Sequence, residues 1–457
     1  MGQVMRRQLI ENMKEWLFSP NRKPLVLRGA RQVGKTWLIR ALARECKKQL
    51  VELNFEKKSQ LAIHFESNDP QKIIKNLESA LQISIVPDET ILFLDEIQAA
   101  PELIAKLRWF YEDLPALAVV ATGSLLEFVL EKHTFSMPVG RITYCYLEPM
   151  GFEEFLLAKN ETHFLEAMKS VSFRSPFNAP LHEKGNQLFK EFVMVGGMPE
   201  ALSTWIKTNS LNALSAAHHH LIQTYQDDFA KYAGKLSVTH LEEVLQSVPE
   251  QLSCKFMYSR VASDAHHAAI KKAVSLLSKA RICHKVFAVS ANGIPVGAEK
   301  QEKNFKLILL DTGLVSTALD IKLHQLDTIQ DLILVNRGAL AEQAVGQLLR
   351  LLSPNYIDPK LYYWCREQKT SHAEIDYLIQ CNTDLIPIEV KAGSEGKLRS
   401  LHQFMYEKKW KRAVRIYAGP LQNDTIQFSL PQGGKVAYEL LSVPFYLVGE
   451  LMRLLVR

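Results

Sequence analysis

Apolar residues in this chain fall into short unbroken runs, separated by stretches in which they repeat every three to four positions. Unbroken runs suit strands buried on both faces of a parallel sheet, and periodic stretches suit amphipathic helices packed against it. Residues 5–17 read as such a helix, leading into the run Pro24-Leu-Val-Leu27. Trp37–Arg44 then repeats at helical spacing, Leu50–Phe55 alternates as a strand does, and Ile91–Leu94 and Leu117–Ala121 are further apolar runs. From 201 to 331 the pattern is helical, then strand-like. Ala265–Arg281 predicts a long helix, and Ile282–Val289 and Phe305–Leu310 predict two strands beyond a turn at Asn292-Gly293. A helix followed by a two-stranded wing is the outline of a winged helix. Beyond Asn336, Gly338–Arg350 predicts a helix, and Leu361–Trp364, Glu374–Ile379 and Ile386–Lys391 predict strands. The expected class is α/β, in three parts spanning 1–200, 201–331 and 332–457. The longest apolar stretch, Ala116–Leu130, is broken by Thr122, Gly123, Ser124 and Glu127, so no membrane span is expected.

The chemistry begins between the first run and the helix after it. Gly29, Ala30, Arg31, Gln32, Val33, Gly34, Lys35 and Thr36 form a glycine loop between strand and helix, the context of a phosphate-binding P-loop. Backbone N–H groups there turn toward a polyphosphate, and the helix N-terminus adds its positive dipole end. Lys35 is expected to reach the β/γ-phosphates of ATP, and the Thr36 hydroxyl to ligate Mg2+. Asp95 and Glu96 end the buried run Ile91–Leu94, where parallel strands deliver acidic side chains. Asp95 is expected to hold the magnesium through water, and Glu96 to polarise the attacking water. Ser124, just past the third run, is placed to sense the γ-phosphate. Arg141 offers a positive charge to that phosphate from the same or a neighbouring subunit, or else forms a surface ion pair. The Gly196-Gly197-Met198-Pro199 corner lets backbone approach a flat base, which makes Pro199 a candidate nucleotide contact.

These stretches, GARQVGKT, LFLDEIQ, ATGS, GRITYCYLEPMGFEEF and VGGMPE, together resemble a large prokaryotic group of AAA-type ATPases related to the origin-recognition and STAND-type ATPases. The resemblance covers nearly the whole chain. It implies a P-loop core with a small helical lid, a winged-helix segment, and a C-terminal α/β domain like the restriction endonucleases of the PD-(D/E)xK class.

In the C-terminal part, Asp376 and Glu389 lie a hairpin's length apart on predicted strands, and Lys391 shares a strand face with Glu389. Two carboxylates that meet in this way form a candidate Mg2+ site, with Lys391 positioning a water or phosphate and Glu342 joining from the preceding helix. The set resembles the PD-(D/E)xK core, although Ile375 stands where that pattern has proline. The other reading is a retained fold whose site is structural. Lys408–Arg415 is basic with an embedded aromatic, suited either to a phosphate backbone or to a solvated helix end. His218-His219-His220 reads as surface histidines, because adjacent residues point around a helix and not to one face.

Composition narrows the function classes. The 457 residues are enough for about two to four domains. A net charge of +6 permits nucleic-acid contact without requiring it. Six scattered cysteines without a C-x-x-C pair argue against zinc fingers and a disulfide framework and suit a cytoplasmic protein. The expectation is therefore an ATP- and Mg2+-dependent switch or motor, with DNA or other nucleic acid and further copies of itself as partners. Its nuclease-like domain either cuts nucleic acid or only binds it or a protein partner.

Overall fold

The computed structural model describes residues 5–132, 137–261, 267–319, 338–368, 371–393, 398–429 and 434–456. The expected boundary at 331/332 lies outside them. Two sheets organise the chain. The first has five parallel strands, β1 (Leu25–Arg28), β2 (Gln49–Asn54), β3 (Thr90–Asp95), β4 (Ala118–Thr122) and β5 (Thr143–Tyr146), in the order β2-β3-β4-β1-β5. Every residue of β3 and β4 is buried, which explains their unbroken apolar character. Helices Lys35–Glu45, Pro70–Leu81 and Leu103–Asp113 cover this sheet. Helices Phe152–Ala158 through Val238–Glu250 form a second body beside it.

The second sheet has eight strands. They are β6 (Cys283–Val289), β7 (Lys300–Leu309), β8 (Leu361–Gln368), β9 (Ser371–Cys381), β10 (Asp384–Lys391), β11 (Arg412–Tyr417), β12 (Gln422–Ser429) and β13 (Lys435–Pro444). Their order is β12-β13-β11-β10-β9-β8-β6-β7. This corrects the expected wing. The β6–β7 hairpin does follow a helix, His267–Lys279, but β6 also pairs in parallel with β8, Val286 opposite Leu361. A free-standing wing would leave that edge of β6 unpaired. Here the hairpin completes a sheet that continues through the C-terminal strands.

Two further expectations change. His218 is fully buried, its ring bonded to Thr317 Oγ1 (2.9 Å) and Val195 O (3.0 Å), while His219 and His220 are exposed. The basic run Lys408–Arg415 is neither one helix end nor one open patch, since from Arg412 onward it is β11. Arg412 donates to Asp384 and to Leu455 O, and Arg415 donates to Ser442 Oγ. Of the run, only Lys409 and Lys411 are exposed.

One apolar core runs from the first helix, with Ile10 and Met13, through Phe152, Phe189 and Phe192, to Phe445 and Leu451 near the end. Phe189 stacks on Phe445 with ring centroids 5.3 Å apart, which fastens the last segment to the helical body.

Candidate functional site

Four strand ends converge at the C-terminal edge of the first sheet. The loop after β1 turns sharply. Gln32 has φ 63° and Gly34 φ 96°, and a Cβ at Gly29 would lie 2.4 Å from Leu147 O. Glycine is required at both ends of this loop, at Gly29 for space and at Gly34 for its left-handed backbone. Lys35 then opens the helix and folds back to donate to Gly29 O (3.1 Å) and Ala30 O (2.8 Å). Burial lowers its pKa to about 8, a shift that Glu96 and Asp95 oppose from a distance.

Asp95 at the end of β3 is held on several sides. Thr122 Oγ1 donates to it at 2.6 Å, Asn54 Nδ2 at 3.0 Å, and Thr36 Oγ1 lies 3.4 Å from both carboxylate oxygens. A hydroxyl facing a fixed carboxylate offers oxygen donors of the kind Mg2+ takes beside phosphate and water, so these residues fit the ion. Glu96 has φ 52°, a strained conformation for a non-glycine residue. Its carboxylate takes a hydrogen bond from Gln98 Nε2 (2.5 Å) and lies 3.4 Å from Ser124 Oγ. Glu96 and Ser124, expected as catalyst and sensor, are thus in contact.

The Gly196–Pro199 corner sits over the same loop. Pro199 Cγ lies 3.7 Å from where a Gly34 Cβ would stand, and Gly197 N donates to Asp311 Oδ2 (2.6 Å). Arg31 turns away to pair with Asp228, and Tyr225 OH donates to Arg31 O. Arg141 does not join the site. It precedes β5 at the edge opposite the P-loop, is exposed, and pairs with Glu112 at 3.0 Å.

A junction that the sequence did not single out links this loop to the second sheet. Arg7 is buried and donates to Val33 O, to Glu148 O at 2.6 Å, and to Glu154 Oε1 at 3.1 Å. The Glu148 carboxylate in turn accepts from Arg281 Nη2 (2.6 Å) and Arg350 Nη2 (3.0 Å). Burial alone would raise the Glu148 pKa, but Arg350 and Arg281 pull it well below the usual carboxylate range. Arg350 belongs to the helix Ala339–Leu351, which also carries Glu342. Tyr146 N of β5 donates to Asn355 O just beyond that helix (2.7 Å). A cleft of about 420 Å³ lies at this junction, away from the P-loop, lined in part by Arg7, Glu148, Lys169 and Arg350.

The C-terminal candidates do come together, with an addition. Lys306 of β7, buried, donates to Glu342 Oε1 (2.8 Å), pairs with Glu374 (2.5 Å), and lies 4.0 Å from Asp376. Asp376 Oδ2 accepts from Val390 N (2.7 Å), and Lys391 donates to Glu389 Oε1 (2.6 Å). Among the described residues, no three His, Cys, Asp or Glu side chains converge closely enough to hold a metal ion. Glu389 Oε2 is buried without a partner, as a ligand oxygen would be, but Glu342 and Asp376 are turned to the ammonium and to backbone. The set as arranged does not fit a divalent ion. Lys306 could have been noticed in the sequence as the one charge inside the apolar run Phe305–Leu310.

Residues 21–156 match the family model described as an AAA domain. That match takes in the first sheet and its glycine loop, under a third of the chain. Residues 186–325 and 337–431 match two families described as domains of unknown function, DUF8612 and DUF4143. These two meet across the β6–β8 pairing of one sheet. Among solved structures, the Aeropyrum pernix ORC2 protein in ADPNP and ADP complexes is similar at 13% identity, over 70% of this chain and 93% of that one, with a TM-score of 0.34. A mutant of Thermotoga maritima RuvB is similar at 13% identity, over 66% and 93%, with a TM-score of 0.29. A comparison with curated proteins returns no match. No helix among the described residues is long and apolar enough to cross a membrane.

Proposed function

We propose that this chain is an ATP-hydrolysing AAA-type switch whose nucleotide state is passed to its C-terminal sheet. The observation that carries the hydrolysis reading is the meeting of Lys35, Thr36, Asp95 and Glu96 at one sheet edge. In this reading Lys35 leaves its two carbonyl partners for the β/γ-phosphates. Thr36 and Asp95 would hold a Mg2+ ion, which would supply positive charge against the phosphates. Glu96 orients and polarises the attacking water, and Ser124 reports the γ-phosphate to Glu96. Pro199 packs against the nucleotide from the lid. The P-loop–Arg7–Glu148–Arg350 chain of contacts supports transmission, because Arg7 ties Val33 O to Glu148 O and the Glu148 carboxylate pairs with Arg350. Nucleic acid is the proposed partner, drawn to exposed Lys409 and Lys411 beside Trp410.

The test is ATP turnover by the full chain, with and without added DNA or RNA. Wild type should exceed Glu96→Gln clearly, and nucleic acid should change the wild-type rate. Arg350→Ala should keep basal turnover but lose that response. Turnover no higher than that of Lys35→Ala would sink hydrolysis. Turnover indifferent to nucleic acid, together with no gel shift, would leave a nucleotide-gated switch with a protein partner.

A further inference from the structure

Four carboxylates gather where the helix Ala339–Leu351 crosses β9 and β10: Glu342, Glu374, Asp376 and Glu389. Carboxylates crowded together repel one another unless a cation stands among them or one takes up a proton. On the rim that charge is Lys391, on Glu389. In the interior it is Lys306, which arrives from β7, the far edge of the same sheet, with its Nζ 5.0 Å from the Tyr363 ring centroid. Its ammonium contacts Glu342 at 2.8 Å and Glu374 at 2.5 Å and lies 4.0 Å from Asp376. A divalent ion in this cluster would need those same oxygens at about 2.0–2.6 Å. Lysine and metal therefore compete for one position.

We propose that Lys306 is the built-in cation of this cluster, so that the full chain holds Glu342, Glu374 and Asp376 together without a divalent ion. The consequence is a C-terminal domain that does not perform metal-dependent phosphodiester cleavage while Lys306 is in place. The β6–β7 hairpin thereby becomes part of the site. A C-terminal fragment starting after it would lack the cation, so the site has to be studied in the full chain.

The experiment is Mn2+ titration of the nucleotide-free full chain, read by calorimetry and by thermal unfolding, in an Asp95→Asn background that silences the P-loop. Wild type at the C-terminal site and Asp376→Asn should give the same isotherm and no Mn2+-dependent rise in Tm. Lys306→Met should gain a Mn2+-dependent rise in Tm, and Lys306→Met/Asp376→Asn should lose it. A stoichiometric Mn2+ site in the wild-type cluster that Asp376→Asn removes would overturn the proposal. A folded Lys306→Met with no Asp376-dependent site would overturn it too. Should Lys306→Met fail to fold, the first pair decides alone. Because turnover is measured separately on chains with Asp95 intact, failure here is distinct from failure of the ATPase reading.

Discussion

Lys35 and Lys306 are both buried, at 8% and 1% exposure, yet the protein treats them in opposite ways. Lys35 donates to neutral carbonyl oxygens, and burial lowers its pKa to about 8 against weak opposition from Glu96 and Asp95. Lys306 is also penalised by burial, but Glu342, Glu374 and Asp376 outweigh that and hold its pKa well above the ordinary lysine value. One cation is short of negative charge and the other is saturated with it. A site built to receive an anionic ligand keeps its cation under-neutralised, so that an arriving phosphate completes the balance. A site that already contains its counter-charge has nothing comparable to gain from a ligand.

The largest effects should come from the unsaturated side. Lys35→Ala is expected to weaken ATP binding by on the order of 100-fold, since it deletes a charge-assisted contact to the phosphates. Glu96→Gln should leave binding intact and slow single-turnover hydrolysis by roughly 100-fold or more. Equal ATP affinity in wild type and Lys35→Ala, measured by calorimetry, would erase the contrast between the two lysines.

Stability should separate them next. Lys306→Met leaves buried carboxylates without their partner and should cost about 3–5 kcal/mol at neutral pH. The loss should shrink at low pH. Glu374 and Asp376 already have raised pKa values, chiefly from burial, and without Lys306 their folded forms prefer the proton still more. For an acid whose folded pKa is raised, stability is greatest below the unfolded value, about 4, and falls above it. Urea denaturation of the full chain at pH 5 and pH 8 checks this, and a deficit equal at both would count against it.

Lys35→Met should do the reverse in the nucleotide-free protein, leaving it as stable as wild type or more so. A base whose folded pKa lies at about 8 against an ordinary 10.5 carries a penalty of about 3 kcal/mol at pH 7. That penalty is complete below pH 8 and gone by 10.5, so wild-type stability should rise with pH across this window while the variant stays flat. A variant markedly less stable than wild type would mean that the carbonyl contacts outweigh burial.

A smaller effect follows for binding itself. Above pH 8, nucleotide-free Lys35 is partly deprotonated and must take up a proton to bind phosphate. Calorimetry in buffers of different ionisation enthalpy should show that uptake above pH 8 and little of it at pH 6.5. Arg141→Ala should change least, because its partner Glu112 is exposed and the pair stands at the wrong end of β5 to reach the P-loop of its own chain. Turnover per subunit that rises with concentration and falls in Arg141→Ala would instead give Arg141 a role in a neighbouring copy.

What the sequence determined by itself is the glycine loop and the polar residues at the strand ends beside it, because these parts are local. The loop from Gly29 to Thr36 is contiguous. Asp95, Glu96 and Ser124 follow directly from fully buried strands, whose parallel pairing sends their ends to one edge. Pro199 was legible as a corner, though its place over Gly34 was not. Tertiary structure alone decided the rest. Asp376, Glu389 and Lys391 could be read as a set, but Lys306 belongs to β7, which reaches the C-terminal strands only through β6 and its pairing with the distant β8, and no spacing rule links them. Glu148, Arg281 and Arg350 lie in three separate segments, and nothing local marks them as partners. His218 looked like its exposed neighbours until packing placed it against Thr317. The physical reason is common to all of these. The character of a charged or polar side chain depends on which counter-charges and how much water surround it, and those neighbours are supplied by distant segments meeting across the sheets.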